Sequence, residues 1–262
     1  MSQLDPIVNQ PSLYLNGLVL SNDATTPNTK LDIAPGICRD SNNVIDINLG
    51  NYLGQSGIGT ANSSTVINFS VNGANGLDTG TLAASTLYYI FAIADSSEKN
   101  LPAGLASLSA TAPTLPFGYD SIRLIGVCLF DGSSHILKYY VSGSGSTKYF
   151  QWDAPIAVTV TASGTSATYS AMDLSVGVPA SNYGKVSIKY KWTNNAAADA
   201  LNFTPSGATG DFETILGIVA GVAQEDNFVV LPLTVAAVPK LSYKTSAGTL
   251  NNVFVQAFEM QL

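Results

Sequence analysis

The stretch KVSIKYKW, residues 185–192, decides the fold class. Val186, Ile188, Tyr190 and Trp192 alternate with Lys185, Ser187, Lys189 and Lys191. Successive side chains of a strand point to opposite faces, so the pattern predicts a strand with an apolar inner face and a charged outer one. Around it lie further short strand candidates at Ile156–Thr161, Leu201–Phe203, Phe212–Val219, Asn227–Val235, Pro239–Tyr243 and Asn252–Phe258. Strands of this length at intervals of roughly 8–12 residues predict a β-sandwich or jelly-roll-like domain.

The first half also reads as strands. Ser12–Leu20 is one, interrupted by Asn16-Gly17, which suits a tight turn or bulge. Leu87–Ala94 (LYYIFAIA) and Ser121–Phe130 (SIRLIGVCLF) are apolar without alternation, which predicts burial on both faces. His135–Ser142 follows a turn at Asp131-Gly132-Ser133-Ser134, and Lys148–Trp152 closes this half. The chain is therefore expected to be all-β, with two β-rich domains. The expected parts are an N-terminal lead-in over 1–30, a β-rich domain over 31–153 and a sandwich over 154–262, with the boundary at Asp153-Ala154-Pro155.

Composition removes several functions. Only 11% of the 262 residues are charged, against roughly 25% in an average domain. The net charge of −7 and the scarcity of Lys and Arg argue against nucleic-acid binding. The 46% hydrophobic content argues against disorder. No stretch approaches the ~20 apolar residues of a membrane-spanning helix, so no membrane insertion is expected. The opening residues carry neither a basic flank nor an apolar run, so no signal peptide is expected. Cys38 and Cys128 are isolated and flanked by apolar residues, which predicts buried free thiols made in a reducing compartment.

The search for reactive groups returns little. His135 is the one histidine and follows a turn, so it has no second histidine for a relay or a metal site. The aspartates sit mostly at turns, where they accept local backbone hydrogen bonds. The loops at Asp40–Asn43 and Gln224–Asn227 are oxygen-rich but lack calcium-loop spacing. Gly54–Gly59 has dinucleotide-like glycines, but a strand follows where a helix would be needed. No catalytic residue, metal or cofactor is expected. Adjacent aromatics such as Tyr88-Tyr89 and Tyr139-Tyr140 place one member on each face of a strand, for a core or for a contact surface.

Four segments together carry a resemblance. They are Tyr14–Asn22 (YLNGLVLSN), Asp32–Asn42 (DIAPGICRDSN), Gly76–Gly80 leading into the tyrosine-rich strand Leu87–Ile93, and Pro113–Gly126 (PTLPFGYDSIRLIG). The set resembles virion proteins of tailed bacteriophages, of the tail-fibre, appendage and adaptor type. Relatives often have two basic residues before the Ile-Gly of the last segment, whereas Arg123 here is followed by Leu124. The resemblance implies a non-enzymatic structural role in a virion, in its tail or an appendage, with the chain synthesised in the host cytoplasm. It implies contacts with other virion proteins and a homo-oligomer, with a trimer favoured. Arg39, Arg123, Tyr88, Tyr139 and Trp152 are then structural or interface residues. The alternative reading is recognition of a host surface glycan by the second domain, with Tyr183, Tyr190, Trp192, Asn194 and Asn195 as candidate contacts. A polysaccharide-degrading enzyme, with two carboxylates in a groove, is a third reading.

Overall fold

The computed structural model describes residues 10–50, 64–160, 164–181, 183–208, 210–217, 219–233 and 238–262. Gly54–Gly59 lies outside them. Among the described residues there are strands and turns and no α-helix, so the chain is all-β as expected. It divides into two units, Met1–Lys148 with Leu262, and Tyr149–Gln261.

The first unit is made of short strands: β1 (Leu15–Gly17), β2 (Leu20–Asn22), β3 (Lys30–Ile33), β4 (Gly36–Arg39), β5 (Asp46–Leu49), β6 (Thr65–Asn68), β7 (Gly76–Leu77), β8 (Leu87–Ala94), β9 (Ala103–Ser107), β10 (Ser121–Leu129) and β11 (Tyr139–Ser142). β1 to β10 form sheets in the orders β1-β4-β5, β2-β3-β6 and β10-β8-β9-β7. The described part of the lead-in is not a separate segment. β1 pairs with β4 and β2 with β3, so it belongs to this unit.

The break at Asn16-Gly17 has a physical cause. Gly17 has φ +70°, and a Cβ there would lie 2.4 Å from the Pro35 carbonyl oxygen. A Cβ on Gly36 would lie 2.4 Å from the Asn16 oxygen. Two glycines thus let the segments YLNGL and APGICR touch backbone to backbone. β8 is buried on both faces and pairs with β9 and β10, as its unbroken apolar run predicts. Beside it Phe69, Tyr88 and Phe130 meet edge to face, with centroids 4.8–5.6 Å apart. The expected strand at His135–Ser142 shrinks to β11, because Asp131 holds the preceding residues in a turn by accepting from the Ser133 and His135 amides.

The second unit has longer strands: β12 (Thr147–Val158), β13 (Ser170–Asp173), β14 (Tyr183–Thr193), β15 (Ala200–Pro205), β16 (Glu213–Leu216), β17 (Ala223–Pro232), β18 (Lys240–Thr245) and β19 (Thr249–Gln261). β12 begins just before the unit boundary. This unit's strands run β12-β19-β14-β17 in one sheet, with β11 beside β12, and β13-β18-β15-β16 in the other. Counted within the unit, these orders are first-eighth-third-sixth and second-seventh-fourth-fifth. That is the jelly-roll arrangement of two four-stranded sheets.

Between the sheets lie Phe150, Trp152, Trp192, Phe203, Tyr243 and Phe258, all fully buried. Phe150 stacks on Phe258 with centroids 5.2 Å apart. Tyr190 of one sheet meets Phe203 of the other at 5.8 Å. The Trp152 indole donates to the Gly177 carbonyl at 3.0 Å.

Two expectations are corrected here. Asp153-Ala154-Pro155 is not a break, because β12 runs through it and the units divide after Lys148. The oxygen-rich stretch Gln224–Asn227 is not a loop but the start of β17, paired with β14.

Candidate functional site

The proposed glycan contacts are corrected first. Tyr183, Tyr190, Trp192 and Asn194 are buried, and of the five only Asn195 is exposed. The reason is the alternation itself, since Tyr190 and Trp192 lie on the inner face of β14 with Val186 and Ile188. Asn194 braces the connection after β14. Its amide donates to the Ala196 carbonyl at 2.8 Å, and a Cβ on Gly217 would lie 2.2 Å from that amide nitrogen. The exposed aromatic that a glycan platform needs is not in this set.

Arg39, Arg123, Tyr88, Tyr139 and Trp152 are also buried, which makes them braces within their own units. Arg39 Nη1 pairs with Asp46 Oδ1 at 3.0 Å, and its Nε and Nη2 donate to Asn43 Oδ1 and O. Asp40 accepts from the Val44 and Ile45 amides at 2.6 and 2.8 Å. The segment CRDSN is therefore a closed turn whose polar groups face one another. Arg123 Nη2 donates to the Leu262 carbonyl at 2.7 Å, and burial lowers its pKa. The Tyr88 hydroxyl accepts from the Ala83 amide at 2.9 Å.

Other candidate reactive groups are similarly committed. Asp95 accepts from Ser97 and Asn100 through both carboxylate oxygens. Asp199 accepts from the Asn195 and Ala196 amides. His135 is half exposed, with Nδ1 3.8 Å from Asp131 Oδ2. Burial pushes the Cys38 thiol up to about 12 and raises that of Cys128. Among the described residues no three His, Cys, Asp or Glu side chains gather as a metal set. A cleft of about 430 Å³ in the first unit is lined by Phe69, Asn72, Leu77 and Leu82 among others and holds no charged side chain.

Two surfaces of the jelly roll remain. The first is its open side. β16 ends one sheet and β17 ends the other, and the connection 217–222 joins them. Leu216, Val219, Val222 and Val230 are all more than half exposed there. An outermost strand presents unpaired N–H and C=O groups, and apolar side chains beside them make it adhesive.

The second is the outer face of the β13-β18-β15-β16 sheet. Phe203 and Tyr243 point inward, so Asn202, Thr204, Ser242 and Lys244 alternate onto the other face of the sheet, where Asn202, Thr204 and Ser242 are nonetheless buried and Lys244 is partly exposed. Thr214 of β16 lies opposite Asn202 and donates to its Oδ1 at 2.7 Å. Next to the edge strands, the Tyr169 hydroxyl donates to Asp211 Oδ1, and Lys244 Nζ lies 2.8 Å from the same oxygen. Lys244 also sits 4.8 Å from the centre of the Tyr169 ring. The bond from Lys244, then that from Tyr169, holds the Asp211 carboxyl below its usual range. Burial and the Asp211 charge push the Tyr169 phenol up. Phe212, 57% exposed, begins the edge. Tyr169 and Phe212 escaped the sequence reading because no alternating run flags them. Only the pairing of two short edge strands with β15 and β18 brings them to one face.

No known protein family matches the sequence, and no curated protein matches it. Among solved structures, a carbohydrate-binding module of Cellvibrio mixtus lichenase 5A, solved with cellotriose, is similar over 48% of this chain and 87% of its own. The identity is 14% and the TM-score 0.22, and at that score the likeness says nothing about what this chain binds.

Proposed function

We propose that the chain is a non-enzymatic structural protein of a tailed-bacteriophage virion, of the tail-fibre, appendage or adaptor type, and that its jelly roll joins copies of the chain. The observation that carries this reading is the open β16/β17 side, where Leu216, Val219, Val222 and Val230 stand out of an otherwise closed core. Both sheets end there, so a neighbouring copy covers the apolar side chains and meets the free backbone groups at once. Few charges need to be desolvated when such surfaces meet. In the first unit, the segments that resemble virion proteins form turns and braces, as a structural role requires. A closed cyclic oligomer fits a self-complementary or head-to-tail patch, and a trimer is the form favoured by the resemblance.

Two measurements test this. The mass of the purified chain in solution is expected to be that of a closed oligomer, and V222D/V230D is expected to run as a monomer with unchanged melting. Purified particles of the phage that encodes the chain are expected to contain its peptides in several copies per virion. A wild-type chain that stays monomeric at every concentration, or that is missing from the particles, would overturn the reading.

A further inference from the structure

The turn Pro116-Phe117-Gly118-Tyr119 in the first unit carries a ring that its own copy leaves wholly exposed, Phe117. The turn is fastened. The Tyr119 amide donates to the Pro116 carbonyl at 3.1 Å, and Gly118, at φ +88°, takes the turn position that favours glycine. The Tyr119 hydroxyl donates to the Leu101 carbonyl at 2.8 Å, and the Asp120 amide to the Ala94 carbonyl at 3.1 Å. Upstream, the Thr114 amide donates to Asp78 Oδ2 at 3.0 Å. A ring held out by such a turn loses little freedom when a partner covers it.

The same unit has a receptor for such a ring at the other end of one sheet. The cleft of about 430 Å³ has Phe69 and Leu77, nearly fully buried, at its base, half-buried Leu82 on its wall, and exposed Ser70, Asn72 and Thr81 at its mouth. A Cβ on Gly80 would meet nothing within 4 Å, so the mouth is open there. With no charged side chain in the lining, an apolar group enters without stripping water from a charge. Phe69 already meets Tyr88 and Phe130 edge to face, and an entering ring extends that cluster. Tyr88 pairs with Cys128 near one end of β8, and Ala94 with Ser121 at the other. The step from Tyr88 to Ala94 is roughly 20 Å along the strand. The cleft is at the Tyr88 end and Phe117 at the Ala94 end, so the ring does not reach the cleft of its own copy.

We propose that Phe117 of one copy seats in this cleft of a second copy. Knob and cleft are different surfaces, so the contact is head to tail: each copy gives one ring and receives one, and copies follow one another in a closed ring or an open row. The contact goes beyond the jelly-roll reading and uses none of Leu216, Val219, Val222 and Val230. A single ring covers far less than the ~1,600 Å² of a stable interface, so an isolated pair forms only near about 0.1–1 mM, and gathering the copies in one assembly reinforces it. In a dilute chain the ring is free, and its loss leaves unfolding unchanged.

The test uses the full chain carrying V222D/V230D, so that the jelly-roll contact is absent, in sedimentation up to about 1 mM. This chain is expected to self-associate weakly. Adding F117S, which removes the knob, or T81W, which fills the mouth of the cleft, is expected to raise the dissociation constant by about tenfold or more. An equal mixture of those two is expected to form dimers and nothing larger, because one keeps its cleft and the other its ring. Both positions are exposed, and unchanged melting in dilute solution shows that each variant is folded. No self-association near 1 mM, undiminished association with F117S, or a mixture that stays monomeric would overturn the proposal. The last outcome would mean that the knob serves a different protein. Failure of the jelly-roll reading shows elsewhere, as a dilute wild-type chain no heavier than V222D/V230D, so the two contacts fail separately.

Discussion

The two units solve the same problem, an all-β core, by opposite means. The first buries charged groups: Arg39, Asp40, Asp46, Asp95, Arg123 and Lys148. The second, among the described residues, buries polar groups that are all neutral: Ser187, Asn194, Asn202, Thr204, Ser242, Thr245 and Gln256. Strand length explains the difference. Strands of two to five residues leave much of the first unit as turns, and only ionic and Asx-type hydrogen bonds fix turns whose ladders are so short. Strands of ten to thirteen residues let β12, β14, β17 and β19 hold one another through their ladders and a shared aromatic core. The chain also labels its halves. Both cysteines, Cys38 and Cys128, lie in the first unit, and both tryptophans, Trp152 and Trp192, lie in the second. Thiol reactivity therefore follows one unit and indole fluorescence the other.

The largest test of this contrast is Trp192→Ala. Removing a fully buried indole from the jelly roll costs about 3–5 kcal/mol. The fluorescence of Trp152 is expected to report early unfolding while the thiols stay protected. If the thiols become reactive in the same transition, the units are one cooperative body. Next is Asp46→Ala, which leaves the buried Arg39 guanidinium without its counter-charge and costs about 3 kcal/mol. Denaturant titration is expected to release the thiols early and leave the tryptophan midpoint in place.

Acid is the third lever. Asp95 is held below the usual carboxylate range by bonds from Ser97, Asp131 by the His135 amide and Asp23 by the Thr26 amide. A lowered folded pKa stabilises the fold above the unfolded value of about 4, and that contribution is lost as pH falls through the lower folded value. Asp32 works the other way, since burial raises its pKa, so it favours the fold at low pH. In the second unit, Asp211 carries a lowered value. The first unit is expected to lose more stability than the second between pH 5 and 3, read by a pyridyl disulfide against tryptophan emission. Equal losses would remove the electrostatic half of the contrast. The smallest effect is expected at Phe117→Ser. That ring is wholly exposed, and the unfolding free energies of both units should match wild type to within about 0.5 kcal/mol.

How much could be read without coordinates follows from the same contrast. Val186, Ile188, Tyr190 and Trp192 announce their face by strict alternation, and the structure buries all four. Leu87–Ala94 announces burial on both sides by having no polar interruption. β13 left no sign, because Ser170-Ala171-Met172-Asp173 has one large apolar side chain and owes its conformation to β18. The same alternation that identifies β14 should have barred Tyr190 and Trp192 from any exposed role. The face bearing Tyr169 and Asp211 could not be read, because it joins positions 42 residues apart through pairings that local patterns do not encode.

The place of β19 has a consequence for how the chain is made. It lies between β12 and β14, so the last strand of the jelly roll to leave the ribosome fills a position inside the sheet. Until it emerges, β12 and β14 each keep a bare flank, and no partial product of synthesis can close that sandwich. Strands β1 to β11 are complete by Ser142 and can form while translation continues, although the Leu262 carbonyl that Arg123 holds follows β19. A truncation that removes β19, or a bulky insertion that hinders it, would thus abolish the second unit outright instead of trimming its stability.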